Sequence, residues 1–181
     1  MITIITPCCR QKNIPRLFDS IDFDKIYKWI IIYDTSNDKK YDKLYDNSKI
    51  MEVECQGGIS GNPQRNYGLR LVDDGYIYFL DDDNIIHPNF WGIVPLLDNN
   101  CFYTFNQFRT DVIGSVLSGN NVVVDRIDTA MFIVHKKHIN DTKWICDKYN
   151  ADGYFICEIN NNNIGAHRYI NAICCYYNYL I

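Results

Sequence analysis

The first half of the chain alternates short apolar runs with polar breaks. Ile2–Thr6 is β-branched and stops at Pro7 and a polar turn, and Trp29–Tyr33 is a continuous apolar run that stops at Asp34. Ile50–Cys55 alternates apolar and polar positions, and Tyr76–Leu80 is again continuous up to Asp81. Such β-branched and aromatic runs predict strands, and the continuous ones predict strands buried on both faces. Between them, Ile14, Leu17, Phe18 and Ile21 fall at helical spacing. Pro63 is well placed to start a helix carrying Tyr67, Leu69, Leu71 and Val72. Tyr41, Leu44 and Tyr45 predict a further short helix over 38–46.

Strands and helices in this order predict an α/β fold, an αβα sandwich around a mostly parallel sheet. In such sheets ligands bind beyond the carboxyl ends of the strands. Thr6, Asp34 and Asp81 stand at those ends. The second half is less regular. Its pattern predicts a helix over 88–97, strands over 102–105, 122–124 and 129–134, and a helix over 141–159. The aromatic-rich stretch 167–181 fits strand or helix.

Length and composition narrow the class. A chain of 181 residues with no repeat or linker is one domain, and 47% hydrophobic residues supply a core. With 18 basic and 22 acidic residues the net charge is −4, and there is no basic cluster, so nucleic acid is not expected as the main partner. No apolar run approaches the roughly 18–20 residues that span a bilayer, and the N-terminus lacks the pattern of a signal peptide. A cytoplasmic protein without direct membrane insertion is expected, in a host's cytoplasm if the source is viral. The eight cysteines include no Cys-x-x-Cys pair, which favours reduced, buried thiols over zinc or disulfides. The excess of Ile and Asn over Ala reflects AT-rich coding, so Asn160–Asn163 reads as a surface loop.

Asp81-Asp82-Asp83 carries the strongest chemical signal. Adjacent carboxylates after a buried strand repel one another and need compensation. A solvated turn is one solution. A hard divalent cation is the other, because Mg²⁺ or Mn²⁺ takes one or two protein carboxylates and fills its remaining positions with water and phosphate oxygens. Arg65 lies on the first turn of a helix entered through a Gly-rich loop, where a phosphate is also favoured.

Thr6-Pro7 with Arg10-Gln11, then Asp34, Gln64-Arg65-Asn66 and Tyr78-Phe79-Leu80-Asp81-Asp82-Asp83-Asn84 together resemble nucleotide-sugar glycosyltransferases of the GT-A fold. The Gln-Arg-Asn and Asp-Asp-Asp-Asn segments look most like the animal β-1,3-glucuronyltransferases, and the layout is similar to family 2 of inverting glycosyltransferases. The resemblance implies a nucleotide-binding half over 1–98 and an acceptor half over 99–181. It places Thr6, Pro7 and Arg10 at the nucleotide, Asp34 on a uracil ring, Arg65 on the diphosphate and Asp81 near the ribose. Asp83 would ligate Mn²⁺ (or Mg²⁺) directly, with Asp81 and Asp82 beside it. The segment Trp144…Asp152-Gly153-Tyr154-Phe155 resembles the one carrying the general base, which selects Asp152, with Glu158 as runner-up. His167 would be a C-terminal metal or diphosphate contact; His87, His135 and His138 have weaker claims. Asp128-Thr129-Ala130 opens a strand that would line the acceptor side.

The expected activity is metal-dependent transfer of a sugar from a UDP-sugar to a hydroxyl of a glycan, protein or small molecule, with inversion. The chain is shorter than most such catalytic domains, so trimmed acceptor-binding insertions are expected, and it lacks the animal enzymes' N-terminal anchor, which speaks against a glucuronic-acid donor. Two rivals stand beside this reading. A non-catalytic sugar-nucleotide or glycan-binding module would keep the fold without turnover. A sugar-phosphate nucleotidyltransferase usually has a glycine-rich basic loop after the first strand, where this chain has Cys8-Cys9-Arg10-Gln11-Lys12. Tyr176, Tyr177 and Tyr179 suit either a homodimer interface or the core.

Overall fold

The buried runs of the first half become neighbouring strands of one sheet. The computed structural model describes residues 1–36, 41–112 and 114–180. Strands β1 (Ile2–Cys8), β2 (Lys28–Asp34), β3 (Ile50–Cys55) and β4 (Tyr76–Phe79) lie side by side in the order β3-β2-β1-β4, all parallel. β1 and β2 are separated by helix α1 (Ile14–Ser20), and β3 and β4 by α2 (Asn62–Arg70). The chain thus moves outward from β1 to β3 and returns on the other side at β4. This reversal leaves a crevice beyond the carboxyl ends of β1 and β4, the position where open α/β sheets bind ligands.

The second half continues the same sheet. β8 (Phe132–His135) runs antiparallel to β4 and to β6 (Phe102–Arg109), and β6 lies parallel to the long β9 (His167–Tyr177). The two-residue β5 (Ile85–Ile86) pairs with β9, and β7 (Ser115–Leu117) with the end of β6. Three short helices complete the chain: α3 (Asn89–Ile93), α4 (Lys136–Ile139) and α5 (Ala151–Asn162). The result is mixed α/β with a mostly parallel sheet, as the sequence pattern predicts.

Side-chain alternation along the strands divides the core into two layers. Ile4, Trp29, Ile31 and Tyr78 face one side, where Ile14 and Leu17 of α1 and Phe90 and Trp91 of α3 cover them. Ile5, Ile30, Ile32, Ile77 and Phe79 face the other, beneath Leu69 of α2 and Phe155, Ile156 and Ile159 of α5. Each buried aliphatic or aromatic side chain contributes about 1.5–3 kcal/mol. The strands that carry the crevice are therefore held from both faces.

The structure departs from the sequence pattern at several places, among them Asn160–Asn162, read as loop, which form the last turn of α5. In the expected 38–46 helix, residues 38–40 lie outside the described set, and Tyr41–Asp46 form no helix. The backbone N–H groups of Leu44 and Tyr45 donate instead to the Glu52 carboxylate at 2.9–3.1 Å. Tyr41 stacks on Tyr33, and Tyr45 on Phe18, so aromatic docking replaces local helical bonds. Val122–Val124 is loop rather than strand; the Val122 carbonyl accepts a bond from the Cys157 thiol of α5. The expected 141–159 helix starts only at Ala151. Trp144 is drawn out of it to stack on Phe155, with ring centroids 4.7 Å apart.

Phe155 also meets Phe79 and Phe132 and is 1% exposed. Truncation there leaves a cavity under the segment that precedes α5. Phe155→Ala is expected to lower the unfolding free energy by about 3–5 kcal/mol in urea titration. A loss below about 1 kcal/mol would show that this aromatic layer does not hold α5 in place.

Candidate active site

The crevice is a cleft of about 720 Å³. It reaches from Pro7, Arg10 and Asp34 on one side to Asp128, Asp152 and Tyr177 on the other, with Asp81 and Asp83 between. A smaller hollow of about 440 Å³ lies around Lys25, Lys28 and Lys49, at the opposite, amino-terminal ends of β1–β3. Topology and chemistry both select the larger one.

Arginine compensates the three adjacent carboxylates. Asp82 is 3% exposed and points inward. Its Oδ2 accepts from the backbone N–H groups of Cys9 and Arg10, each at 2.7 Å, and its Oδ1 from Arg10 Nη1. Arg10 Nη1 also donates to Asp83 Oδ2 at 2.9 Å. Asp81 pairs with Arg65 Nη2, and Arg65 is 4% exposed with its guanidinium 4.6 Å from the Trp144 ring centroid. Arg65 Nη1 donates to the Ser60 carbonyl and the Asn62 side chain. Asp82 thus holds the exit of β1 closed, and Arg65 buttresses Asp81.

The loop before α2 brings its backbone close to Pro7. Gly61 has φ +74°, and a Cβ there would lie 2.6 Å from the Pro7 side chain, so this position requires glycine. From α2, Asn66 accepts from the Trp144 N–H at 2.9 Å and donates to the Trp144 carbonyl at 2.8 Å. Asn62 donates to the carbonyls of Ile145 and Lys148. The Gln64-Arg65-Asn66 segment therefore anchors the loop that delivers Asp152 to the cleft.

Asp152 lies in the first turn of α5, where one oxygen accepts from the Gly153 N–H at 2.7 Å. Burial pushes its pKa up to about 6, against the opposing pull of that bond and of Arg65. Asp128 caps the turn Thr129–Met131. Its pKa is pushed up to about 7, first by burial and then by the charges of Asp152 and Asp81. Asp83 is raised to about 6 by burial and by Asp81, with Arg10 opposing. Carboxylates displaced upward by burial and like charge in a cleft mark a functional-site candidate.

Of the residues singled out in the sequence, Pro7, Arg10, Asp34, Arg65, Asp81, Asp82, Asp83 and Asp152 line this cleft. The structure leaves three outside it. Thr6 is fully buried, and its Oγ1 accepts from the Trp29 indole at 2.9 Å. Glu158 is exposed on α5 and bonds Thr142, because six further residues of helix carry it away from the cleft. His167 begins β9, bonded to Thr104 and stacked on Phe102, while Tyr177 at the far end of that strand lines the cleft. His87, His135 and His138 are likewise not among the lining residues. Arg109, Asp125, Tyr149 and Tyr177 do line it, and no local pattern distinguishes them in the sequence; Asp128 and Thr129, expected on the acceptor side, line it as well.

Neither a protein-family model nor a curated protein sequence matches the chain. Solved structures do. The fold is the GT-A fold of UDP-sugar glycosyltransferases. Residues 1–349 of S. aureus TarS align with a TM-score of 0.75 at 16% identity, covering 97% of this chain and 59% of that one. The TarS complex with UDP-GlcNAc aligns with a TM-score of 0.67 at 14% identity, covering 97% and 57%. Glucosyl-3-phosphoglycerate synthase from Mycobacterium tuberculosis, bound to Mn²⁺, UDP-glucose and phosphoglyceric acid, aligns with 0.63 at 12% identity, covering 96% and 71%. The chain thus spans less than two thirds of the TarS structures it matches. These matches carry the GT-A expectation, and they give no support to the particular resemblance to β-1,3-glucuronyltransferases. Among the described residues, no helix is long and apolar enough to cross a membrane.

The raised pKa of Asp128 has a thermodynamic consequence. Its folded pKa lies above the ordinary carboxylate value, so between about pH 4 and 7 the folded state holds the extra proton and stability falls as pH rises. Asp128→Asn removes this group's contribution while keeping an N-cap residue. The variant is expected to gain stability relative to wild type across that window, up to on the order of 4 kcal/mol by pH 7.5. Parallel denaturation curves from pH 4 to 8 would contradict the assignment.

Proposed function

We propose that this chain is a metal-assisted glycosyltransferase that moves a sugar from a UDP-sugar to an acceptor hydroxyl with inversion at the anomeric carbon. One observation carries the reading. The strand-end aspartates and Asp152 flank a single cleft at the switch point of a GT-A sheet, with Asp34 at the outer edge. That arrangement suits a nucleoside diphosphate lying across the crevice and a base beyond it. The solved neighbours bound to UDP, UDP-GlcNAc and UDP-glucose support the choice of donor.

Asp34, held at the end of β2 by the Ser36 N–H, is assigned to the uracil ring. Gly57 packs so closely here that a Cβ would fall 2.3 Å from Asp34 Oδ1. The backbone around Pro7 and Gly61 borders the nucleotide. Asp83, with Asp81, would hold Mn²⁺ or Mg²⁺. Their hard oxygen donors fit such an ion, which keeps water and diphosphate oxygens as its other ligands. Among the described residues no three His, Cys, Asp or Glu side chains form a closed metal cage, so the diphosphate would complete the shell. When bound, the cation supplies Lewis-acid neutralisation of the leaving diphosphate. Seven aspartates and three arginines line the cleft, so a diphosphate entering without a cation meets net negative charge.

Asp152 is the general base. It takes the proton from the acceptor hydroxyl as that oxygen bonds to the anomeric carbon and the bond from that carbon to the diphosphate oxygen breaks. Its raised pKa keeps it basic enough to accept a proton while still mostly ionised near neutral pH. Glu158, outside the cleft, has no place in this step.

Calorimetric titration tests the donor site. UDP should bind with Mn²⁺ present, and binding should weaken at least about tenfold with chelator or in Asp83→Ala, equivalent to about 1.4 kcal/mol. No binding of UDP, UDP-GlcNAc or UDP-glucose to folded protein would sink the donor assignment. A second test addresses the base. Sugar transfer should rise with pH through about 6 as Asp152 ionises, and Asp152→Asn should lower kcat by about 10²–10⁴ with UDP affinity retained. An unchanged kcat in Asp152→Asn would remove it from the base role.

A further inference from the structure

The acceptor half of the cleft selects a chemical class of acceptor, a question that rests on the glycosyltransferase reading above. Tyr149 is the most exposed of the cleft-lining aromatics at 81%, three positions before Asp152. Tyr177 also lines the cleft. The nearby polar side chains of the lining are neutral or acidic apart from Arg109: Thr129, Asn178, Asn150, which donates to Asp125 at 2.8 Å, and the carboxylates of Asp125, Asp128 and Asp152. The one cation on this side, Arg109, is already committed. It donates twice to Asp111 at 3.0 and 2.6 Å and lies over the Tyr177 ring at 4.3 Å.

A phosphate or carboxylate on the acceptor would thus meet three aspartates and a single arginine that is already paired with Asp111. A ring with an apolar C–H face and several hydroxyls meets aromatic faces and hydrogen-bond acceptors. We propose that the acceptor is an uncharged sugar ring of a glycan or glycoside, stacked against Tyr149 with its hydroxyls facing Asp125 and Asp152, and that phosphorylated acceptors are rejected. Arg10 and Arg65 do not alter this balance, because both are paired with the strand-end aspartates on the donor side.

The test compares matched acceptors by UDP release from UDP-glucose and UDP-GlcNAc with Mn²⁺. Methyl glucoside, methyl N-acetylglucosaminide and their di- and trisaccharides are run beside glucose 6-phosphate, N-acetylglucosamine 6-phosphate and 3-phosphoglycerate. At least one neutral sugar should raise release above the rate of donor hydrolysis by water, and the phosphates should not. Tyr149→Ala should raise the KM of that sugar about tenfold with a smaller effect on kcat, and Tyr149→Phe should restore it. Equal or faster reaction with the phosphates overturns the proposal. So does an unchanged acceptor KM in Tyr149→Ala, or a failure of every neutral sugar while donor is still bound and hydrolysed. In all three cases the donor reading stands. Absence of donor binding and hydrolysis overturns both readings together.

Discussion

Three carboxylates in a row after a fully buried strand impose the constraint around which this molecule is organised. Their repulsion has to be met by positive charge brought from elsewhere in the chain, because the strand itself carries none. Arg65 arrives from α2 and Arg10 from the exit of β1. Arg65 is the buried partner of the two, and removing one side of a buried pair typically costs about 3–5 kcal/mol, since the remaining charge is left desolvated. Arg65 does more than neutralise Asp81. Its contacts with Ser60, Asn62 and Trp144 join the glycine loop, α2 and the segment before α5 into one unit. The position of Asp152 therefore follows from how the acidic strand end is compensated.

The same arrangement explains why residues of one motif have different physical roles. Asp82 has turned inward to receive two backbone N–H groups and holds the β1 exit in place. Asp83 keeps a partly open carboxylate with a raised pKa, which suits a group that gains a cation. Asn66 carries no cleft chemistry at all; it clamps the backbone of Trp144 at both its N–H and its carbonyl. A motif that reads as a binding site in one dimension is partly a framework in three. The framework matters to function because the cleft is shared by loops that do not touch one another through secondary structure.

Charge also divides the cleft by task. On the side assigned to the donor, Arg10 pairs with Asp82 and Asp83 and Arg65 with Asp81. On the acceptor side the aspartates outnumber a single arginine whose charge Asp111 already satisfies. The exposed ring of Tyr149 and the half-buried ring of Tyr177 stand there instead. On the proposed reading, the two halves would favour different chemistry within one continuous sheet, an anionic nucleotide carried in with a metal and an uncharged ring approaching from the other side.

Much of this was legible along the chain. Period-two burial and uninterrupted apolar runs determined the four central strands, and polar residues at their ends determined Asp34 and the Asp81–Asp83 cluster as cleft residues. These are local properties: a buried strand needs apolar side chains on both faces, and a strand end needs polar ones. Local patterning failed where long-range contacts outcompeted it. Glu52 took the backbone donors that a helix at 41–46 would have used, and Phe155 and Asn66 drew Trp144 out of a longer helix. Thr6 and His167 carried plausible residue types, but the tertiary structure turned one into the core and set the other at the far end of its strand. Asp125, Asp128, Tyr149 and Tyr177 came together only on folding, because they lie on separate segments that share no periodicity. The sequence by itself determined the sheet and its acidic edge, through side-chain burial that is decided residue by residue. Only the tertiary structure decided which carboxylates remain open to a ligand, since that depends on which arginines and backbone donors reach them through space.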